Sequence, residues 1–199
     1  LMVIQKHRYY NKNIGYEDEP LDSTCLRIVL IGKTGSGKSA TETPSGKDVF
    51  VRIVGKIQGR TVAVVDTPGL FDTTLSNEDV TEEIQKCISL SAPGPHAFII
   101  VLSVGRFTKE EWETLDLIKK IFGPKAANFS IVLFTREDDL KNQPIEQYIE
   151  NGDNRMKKLI RDCGGRVLAF DNKNKDREIW RSTKEKKLKK MRDRPGRKK

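Results

Sequence analysis

The chain has 199 residues, 36% of them hydrophobic, which fits a single α/β domain with polar ends. No run approaches the roughly 18–20 apolar residues of a membrane-spanning helix, so we expect no transmembrane segment. The net charge of +9 lies at one end: residues 173–199 hold 14 Lys and Arg against 4 Asp and Glu, leaving 23 basic and 24 acidic residues elsewhere. The near-neutral body does not favour a nucleic-acid-binding domain.

The basic tail is interpreted as a solvated helix end that continues into disorder. Contact with an anionic membrane or with nucleic acid is the alternative. Trp180 is the sole aromatic residue among residues 173–199 that could stack on bases. Three isolated cysteines, Cys25, Cys87 and Cys163, read as reduced, mostly buried thiols of an intracellular protein. We therefore expect a cytosolic protein, which the tail could bring to intracellular membranes.

Short apolar runs in chain order predict six strands, with helical segments between most of them. This pattern is typical of a mostly parallel sheet with helices on both faces. The Gln58-Gly59 turn predicts a hairpin, and so one antiparallel edge strand. Residues 1–24 are polar and are interpreted as a flexible lead-in. The predicted strands are Leu26–Ile31, Val49–Ile57, Thr61–Val65, Ala97–Val104, Ser130–Phe134 and Val167–Phe170.

Four helices are predicted after the hairpin. Thr108 and Glu111 form a capping box at the start of the second. Pro144 begins the third, and Gly152 interrupts it before Asp153 caps the fourth. Their expected buried faces are Val80, Ile84, Cys87 and Ile88 in the first (from Ser76), Trp112, Leu115, Ile118 and Phe122 in the second, Ile145, Tyr148 and Ile149 in the third, and Met156, Leu159 and Ile160 in the fourth.

Residues 32–39 read GKTGSGKS and match the phosphate-binding motif GxxxxGK[ST] between a predicted strand and a helix. Glycines let backbone N–H groups curl around phosphate oxygens, and the helix N-terminus adds partial positive charge. We expect Lys38 to bridge the outer phosphates and Ser39 to ligate Mg²⁺. The expected nucleotide contacts here are Gly32, Lys33, Thr34, Gly35, Ser36, Gly37, Lys38, Ser39 and Ala40.

Two further motifs follow predicted strands. Asp66-Thr67-Pro68-Gly69 has the form DxxG, in which Asp66 would hold Mg²⁺ through water and the Gly69 N–H would sense a γ-phosphate. Residues 135–138, TRED, lie where a guanine-nucleotide-binding protein reads the base. Thr135, Arg136 and Asp138 are the candidates, because a carboxylate accepts hydrogen bonds from guanine that adenine cannot offer. Asp138 as a simple turn cap is the alternative.

The stretch LSAPGPHA at residues 90–97, continued by FIIVLSVGRFT, resembles the immunity-associated GTPase family, also called GIMAP or AIG-type G-domains. The likeness extends over about residues 24–175. It implies a P-loop NTPase G-domain over residues 25–180, followed by a basic tail at 181–199, that binds GTP or GDP with Mg²⁺. It also implies Asn172 as a base contact and homodimerisation through the nucleotide face. His96 is interpreted as part of a strand-entry turn, with a chemical role as the alternative.

The segment between the phosphate loop and the second strand is short. Residues 40–48 must supply both a helix and a switch loop, and Pro44 stops the helix early. We expect a shortened switch I with no threonine placed to close over Mg²⁺. A Ras-like GTPase has a glutamine just after DxxG, but here Leu70 occupies that place.

Arg106 follows the Ala97–Val104 strand and is the candidate for an arginine finger donated to a partner. A simple surface or helix-capping role for Arg106 is the alternative, and Arg136 is a weaker candidate for the finger. The sequence thus predicts guanine-nucleotide binding with slow or dimer-dependent GTP hydrolysis. The main alternative is a nucleotide-holding scaffold without catalysis that assembles on membranes or partner proteins. The imperfect TRED motif also leaves an ATP-binding protein open, and the tail leaves nucleic-acid binding as the weakest candidate.

Overall fold

A seven-stranded sheet forms the centre of the structure, a computed structural model that describes residues 7–9, 24–33, 35–37, 51–57, 59–67, 85–141 and 143–170. Its spatial strand order is β1-β3-β4-β2-β5-β6-β7. The strands are β1 (His7–Tyr9), β2 (Leu26–Ile31), β3 (Val51–Ile57), β4 (Arg60–Asp66), β5 (Ala97–Ser103), β6 (Ser130–Thr135) and β7 (Val167–Phe170).

Five neighbouring strands run parallel: β4, β2, β5, β6 and β7. The predicted mostly parallel α/β fold is therefore confirmed, and the strand bounds agree with the apolar runs to within two residues. Because these strands are parallel, their carboxyl ends lie along one edge of the sheet. Ligands of open α/β sheets bind at this edge.

The predicted hairpin is present, since β3 and β4 pair antiparallel and Ile57 lies opposite Arg60. Gly59 in the turn has a φ of +79°, which favours glycine. The structure differs from the sequence prediction at this edge of the sheet. The sequence predicts β3 to be the edge strand, but β1 pairs antiparallel with it and is the edge strand instead. The predicted lead-in thus contains a seventh strand. A three-residue edge strand pairs through its backbone, so it needs no apolar run that the sequence could reveal.

The α-helices of the described residues are α1 (described over residues 85–90), α2 (Lys109–Phe122), α3 (Ile145–Asn151) and α4 (Asn154–Asp162). The Thr108 N–H donates to Glu111 Oε2 at 2.9 Å, the glutamate half of the predicted capping box. Asp153 Oδ1 accepts from the Arg155 N–H at 2.7 Å and caps α4 as predicted. Among the described residues, no helix is both long and apolar enough to span a membrane.

The main core lies between the sheet and helices α1, α2 and α4. Leu115 and Ile118 of α2 and Leu159 of α4 are buried there, each contributing about 1.5–3 kcal/mol of burial energy. The predicted α1 face is only partly right, since Cys87 is buried but Ile88 is 46% exposed. The helix expected after the phosphate loop and the helix end expected in the tail lie outside the described residues.

The three cysteines are all buried, as expected for structural thiols. Burial raises the pKa of the Cys87 thiol to about 12. It also raises the pKa of the Cys163 thiol to about 11. Since the thiolate is the reactive form, neither side chain is activated for chemistry.

Candidate nucleotide-binding site

The phosphate loop leaves the carboxyl end of β2 and turns sharply. Ser36 N–H donates to Lys33 O at 3.1 Å, and Gly35 and Gly37 have φ values of +80° and +86°. Such a turn directs successive N–H groups toward one point, which is what binding a phosphate requires. Thr34, Lys38, Ser39 and Ala40, the other predicted contacts of this loop, lie outside the described residues.

Gly32 fixes the start of the loop against strand β5. A Cβ at this position would lie 2.4 Å from the carbonyl oxygen of Val101, which no side chain tolerates. The glycine is therefore required for close packing as well as for turning. Its effect is to set the phosphate loop directly against the strand that leads to Arg106.

Thr135 connects residues 135–138, the predicted base-recognition segment, to the phosphate loop. Its side chain is buried, and Oγ1 lies 2.6 Å from Ser36 O and 3.2 Å from Leu102 O. The single hydroxyl hydrogen is directed to these carbonyls, so the hydroxyl faces the protein. Sequence reasoning placed Thr135 near the base but did not foresee this bond, because the two residues are 99 positions apart.

Asp66 ends β4 beside the phosphate loop. It is 8% exposed, and it pairs in register with Leu30, two residues before Gly32. Thr67 fastens the chain immediately after it, since its Oγ1 and its N–H both donate to Leu30 O, at 2.8 and 3.4 Å. A carboxylate held next to a phosphate loop has the oxygen chemistry that Mg²⁺ prefers. Gly69, predicted to sense a γ-phosphate, lies outside the described residues.

No group of three or more potential His, Cys, Asp or Glu ligands occurs within the described part of the chain. Mg²⁺ commonly binds through one or two protein oxygens together with substrate phosphates. Asp66 therefore fits a nucleotide-dependent Mg²⁺ site, in which the hydroxyl of Ser39 would be the second protein ligand. It does not fit a protein-only metal cage.

The base-recognition segment continues in an unusual conformation. Arg136 has left-handed backbone angles (φ 59°, ψ 45°), which cost about 1–2 kcal/mol for a residue with a Cβ. Its guanidinium pairs with Asp139 at 2.6 Å across the short 3-10 helix Glu137–Leu140. Asp138 is exposed and lines an open depression of about 310 Å³. Its carboxylate can thus be reached by a ligand, whereas Asn172 lies outside the described residues.

Arg106 lies in the loop between β5 and α2, and it is exposed. The Val104 N–H donates to Thr135 O at 3.1 Å, which fastens the start of this loop to the base-recognition segment. At the other end of this loop, the pKa of the Glu111 carboxyl is raised, because burial is the largest effect on it. The Thr108 N–H, which donates to this carboxyl, and the charge of Lys33 act in the opposite direction. Because β5 and β2 are neighbouring parallel strands, the loop after β5 begins at the same edge of the sheet as the phosphate loop after β2. Arg106 is therefore on the same edge as Asp66 and the phosphate loop.

His96 lies at the opposite, amino-terminal edge of the sheet. The backbone N–H of His96 donates to Arg27 O at 2.8 Å, and its ring Nδ1 accepts from the backbone N–H of Arg27 at 3.0 Å. These bonds join the turn before β5 to β2, which agrees with the structural interpretation of His96. Burial, followed by the charges of Arg27 and Arg60, lowers the pKa of this imidazole.

Arg27 is a buried charge that sequence reasoning missed. Its guanidinium donates to Gly94 O at 2.6 Å and Cys25 O at 3.1 Å, and it lies 3.3 Å from His96 Nε2. An arginine inside the apolar run LRIVLI was the available signal, because a buried arginine needs several acceptors. It holds the LSAPGPHA turn in place, far from the nucleotide edge.

Similarity to solved structures identifies the class of fold. A dimerisation-deficient mutant of Toc33 from Arabidopsis thaliana matches with a TM-score of 0.57 and 17% identity, covering 77% of this chain and 73% of that one. Toc33 in complex with GDP and Mg²⁺ matches with a TM-score of 0.54 and 17% identity, covering 76% and 72%. The fold is that of a P-loop GTPase G-domain.

A family model narrows the class. The model of the AIG1 family matches residues 26–193, and the chain belongs to this family. GTPase IMAP family member 8 of Homo sapiens is 38% identical over 170 residues, which cover 77% of this chain and 25% of that protein. Immune-associated nucleotide-binding protein 5 of Arabidopsis thaliana is 38% identical over 162 residues, covering 75% and 54%. The chain therefore spans about a quarter to a half of these curated relatives.

Proposed function

We propose that the protein binds GTP and GDP together with Mg²⁺ at the carboxyl edge of the sheet. The observation that carries this proposal is the 2.6 Å contact between Thr135 Oγ1 and Ser36 O, which joins the base-recognition segment to the phosphate loop. A nucleotide has a base at one end and phosphates at the other, so a site for it needs both segments in fixed relation. The relatives named for GTPase activity or nucleotide binding support the same conclusion.

The phosphates would be held by N–H groups of residues 32–37 and by Lys38. Ser39 and Asp66 would hold Mg²⁺, which neutralises phosphate charge when it is bound. Guanine would be selected by the exposed carboxylate of Asp138, with Asn172 as a second base contact. Arg136 orders this segment through its pair with Asp139.

Slow hydrolysis that depends on dimerisation is the second part of the proposal. Leu70 occupies the place of a water-orienting glutamine, and a hydrophobic side chain cannot orient water. Arg106, exposed beside the phosphate loop, would then act in a partner's site across a homodimer. Dimerisation is described as important for the GTPase activity of chloroplast translocon components with this fold.

A nucleotide-holding scaffold without turnover is the alternative. The observations that favour it are Leu70 and the short segment 40–48, which leaves no evident switch threonine. The protein would then sit in the cytosol and reach anionic membranes through the tail at 181–199. Binding of anionic liposomes that persists after deletion of this tail would exclude the tail as the anchor.

Calorimetric titration with GTP, GDP and ATP tests nucleotide binding. We expect heat with both guanosine nucleotides, at least a tenfold weaker response to ATP, and about tenfold or greater loss of affinity in Lys38→Ala. Asp138→Asn should weaken GDP binding and leave ATP binding unchanged. Asp116→Asn, at an exposed position of α2 outside the base-recognition segment, is the matched control and should change neither affinity. Equal affinities for ATP and GTP would overturn guanine selection, and absence of heat would overturn the proposed function.

Phosphate release measured across protein concentrations tests hydrolysis. We expect the rate per chain to rise with concentration and to fall by about 10³-fold in Arg106→Ala, the lower end of the effect of an arginine finger. Arg161→Ala, at an exposed position near the end of α4, is the control for loss of a surface charge. A rate that is independent of concentration and insensitive to Arg106→Ala would overturn the dimer mechanism.

A further inference from the structure

One tyrosine hydroxyl binds both backbone groups of Gly105. Tyr148 Oη donates to Gly105 O at 2.8 Å and accepts from the Gly105 N–H at 3.0 Å. The residue thus receives from a side chain the pair of hydrogen bonds that a neighbouring strand would otherwise supply. Gly105 has a φ of +141°, so its conformation also favours glycine.

Tyr148 is itself held in place. It lies on α3, and its N–H donates to Pro144 O at 3.1 Å in the first turn of that helix. Its ring meets Phe134 edge-to-face, with centroids 5.8 Å apart and planes at 81°. Phe134 immediately precedes Thr135, so the hydroxyl is fixed relative to the base-recognition segment.

The loop from Val104 to Thr108 is anchored at three points. The Val104 N–H binds Thr135 O, Tyr148 binds Gly105, and the Thr108 N–H binds Glu111. Arg106 directly follows the middle anchor, and its side chain is exposed. The central anchor, at Gly105, depends on the Tyr148 hydroxyl alone.

We propose that Tyr148 is a positioning residue that fixes the backbone beneath Arg106, and so sets the direction in which this arginine is presented to a partner molecule. The functional consequence rests on the proposed dimer-dependent hydrolysis. A long charged side chain loses less freedom on entering a partner's site when its backbone is already ordered. The same bonds link the position of Arg106 to the segment proposed to read the base.

Spin labelling tests the geometry without any need for activity. Because Cys25, Cys87 and Cys163 are at most 2% exposed, a cysteine introduced by Arg106→Cys can be labelled selectively. We expect the spectrum of the label to show a clear gain in mobility when Tyr148→Phe is added. Phenylalanine keeps the ring that packs on Phe134 and removes only the hydroxyl.

The matched control is Tyr9→Phe, which removes a hydroxyl from strand β1 at the far edge of the sheet. It should leave the label's mobility unchanged. Identical spectra for the labelled protein with and without Tyr148→Phe would overturn the proposal. An unfolded variant would be recognised from circular dichroism. Tyr148→Leu, which has neither the hydroxyl nor any other hydrogen-bonding group in its side chain, would then replace it and face the same criterion.

A double-mutant cycle tests the consequence for hydrolysis. In otherwise unchanged protein, Tyr148→Phe should lower the concentration-dependent rate by about three- to tenfold, the loss expected for a neutral hydrogen bond, with no change in GDP affinity. In the Arg106→Ala background it should have no further effect. An equal effect in both backgrounds would show that Tyr148 does not act through Arg106. If the parent protein hydrolyses no GTP, the hydrolysis proposal fails, while the spin-label spectra still decide the role of Tyr148.

Discussion

The hydroxyl of Thr135 lies 2.6 Å from the carbonyl oxygen of Ser36 and joins the end of β6 to the middle of the phosphate loop. The same threonine accepts, through its carbonyl oxygen, from the Val104 N–H at 3.1 Å. One buried residue therefore connects the phosphate loop, the base-recognition segment and the Arg106 loop. Thr135 is expected to act on nucleotide binding by holding the backbone.

Thr135→Val tests this connection, because valine keeps the shape and removes the hydroxyl. We expect GDP affinity to fall by about three- to tenfold and the free energy of unfolding to fall by about 1–3 kcal/mol, since buried carbonyl groups lose a donor. Calorimetry and urea unfolding measure the two effects. Thr114→Val is the control: its buried hydroxyl binds Glu110 O within α2, so it should lower stability alone. Equal losses of affinity in both variants would contradict the positioning role.

Gly32→Ala should disrupt the phosphate loop more severely. The new Cβ would lie 2.4 Å from Val101 O, so the loop must move away from β5. We expect at least about tenfold weaker GDP binding, equivalent to about 1.4 kcal/mol, measured by calorimetry. Gly59→Ala in the β3–β4 turn introduces strain at a positive φ, away from the loop, and should lower stability without changing affinity. Unchanged binding by Gly32→Ala would refute the packing argument.

Glu111 gives the domain a measurable pH dependence. Its pKa is raised in the folded state, chiefly by burial, so between the unfolded pKa and the higher folded pKa the folded state binds more protons. Its contribution to stability is therefore fully present below the unfolded pKa and is lost as the pH rises through the folded pKa.

Glu111→Gln removes this titration and keeps an oxygen that can accept from the Thr108 N–H. Urea unfolding at a series of pH values should show the variant gaining stability relative to the parent as the pH rises from 4.5, the ordinary value for a glutamate carboxyl. Glu113→Gln, an exposed position of the same helix, is the control and should show no such trend. If the difference in unfolding free energy between Glu111→Gln and the parent does not change with pH, the raised pKa of Glu111 is contradicted.

Arg27→Lys should destabilise the fold although it keeps the charge. A lysine cannot reach Gly94 O and Cys25 O together in the geometry of a guanidinium, and it leaves buried carbonyl groups without donors. We expect a loss of about 2–3 kcal/mol in the free energy of unfolding. GDP affinity of the folded fraction should not change, because these contacts lie at the opposite edge from the phosphate loop. Preserved stability in the lysine variant would mean that charge alone suffices.

The features that the sequence predicted well are local ones. Strand bounds follow from apolar runs, the β3–β4 turn from Gly59, and the break before α4 from Gly152 and Asp153. The phosphate loop is equally local, since its shape depends on closely spaced glycines. Each of these depends on residues within a few positions of one another, and their propensities act before any distant contact forms.

Other features were beyond sequence reasoning. The strand at His7–Tyr9 has no apolar pattern, and Ile88 fits the predicted helical face but is exposed. The buried bonds of Arg27 require the turn before β5 to pass next to β2. The bond from Tyr148 to Gly105 requires α3 to lie against the loop after β5.

By itself the sequence determined that a phosphate-binding loop, a DxxG motif and a base-recognition segment each follow a strand, and its resemblance to a family was enough to name the kind of domain. Only the tertiary structure decided that Thr135 turns its hydroxyl to Ser36 and that Tyr148 holds the backbone beside Arg106. The physical reason is that a hydrogen bond forms over about 3 Å. Whether residues far apart in the chain come that close depends on the order in which the strands pair.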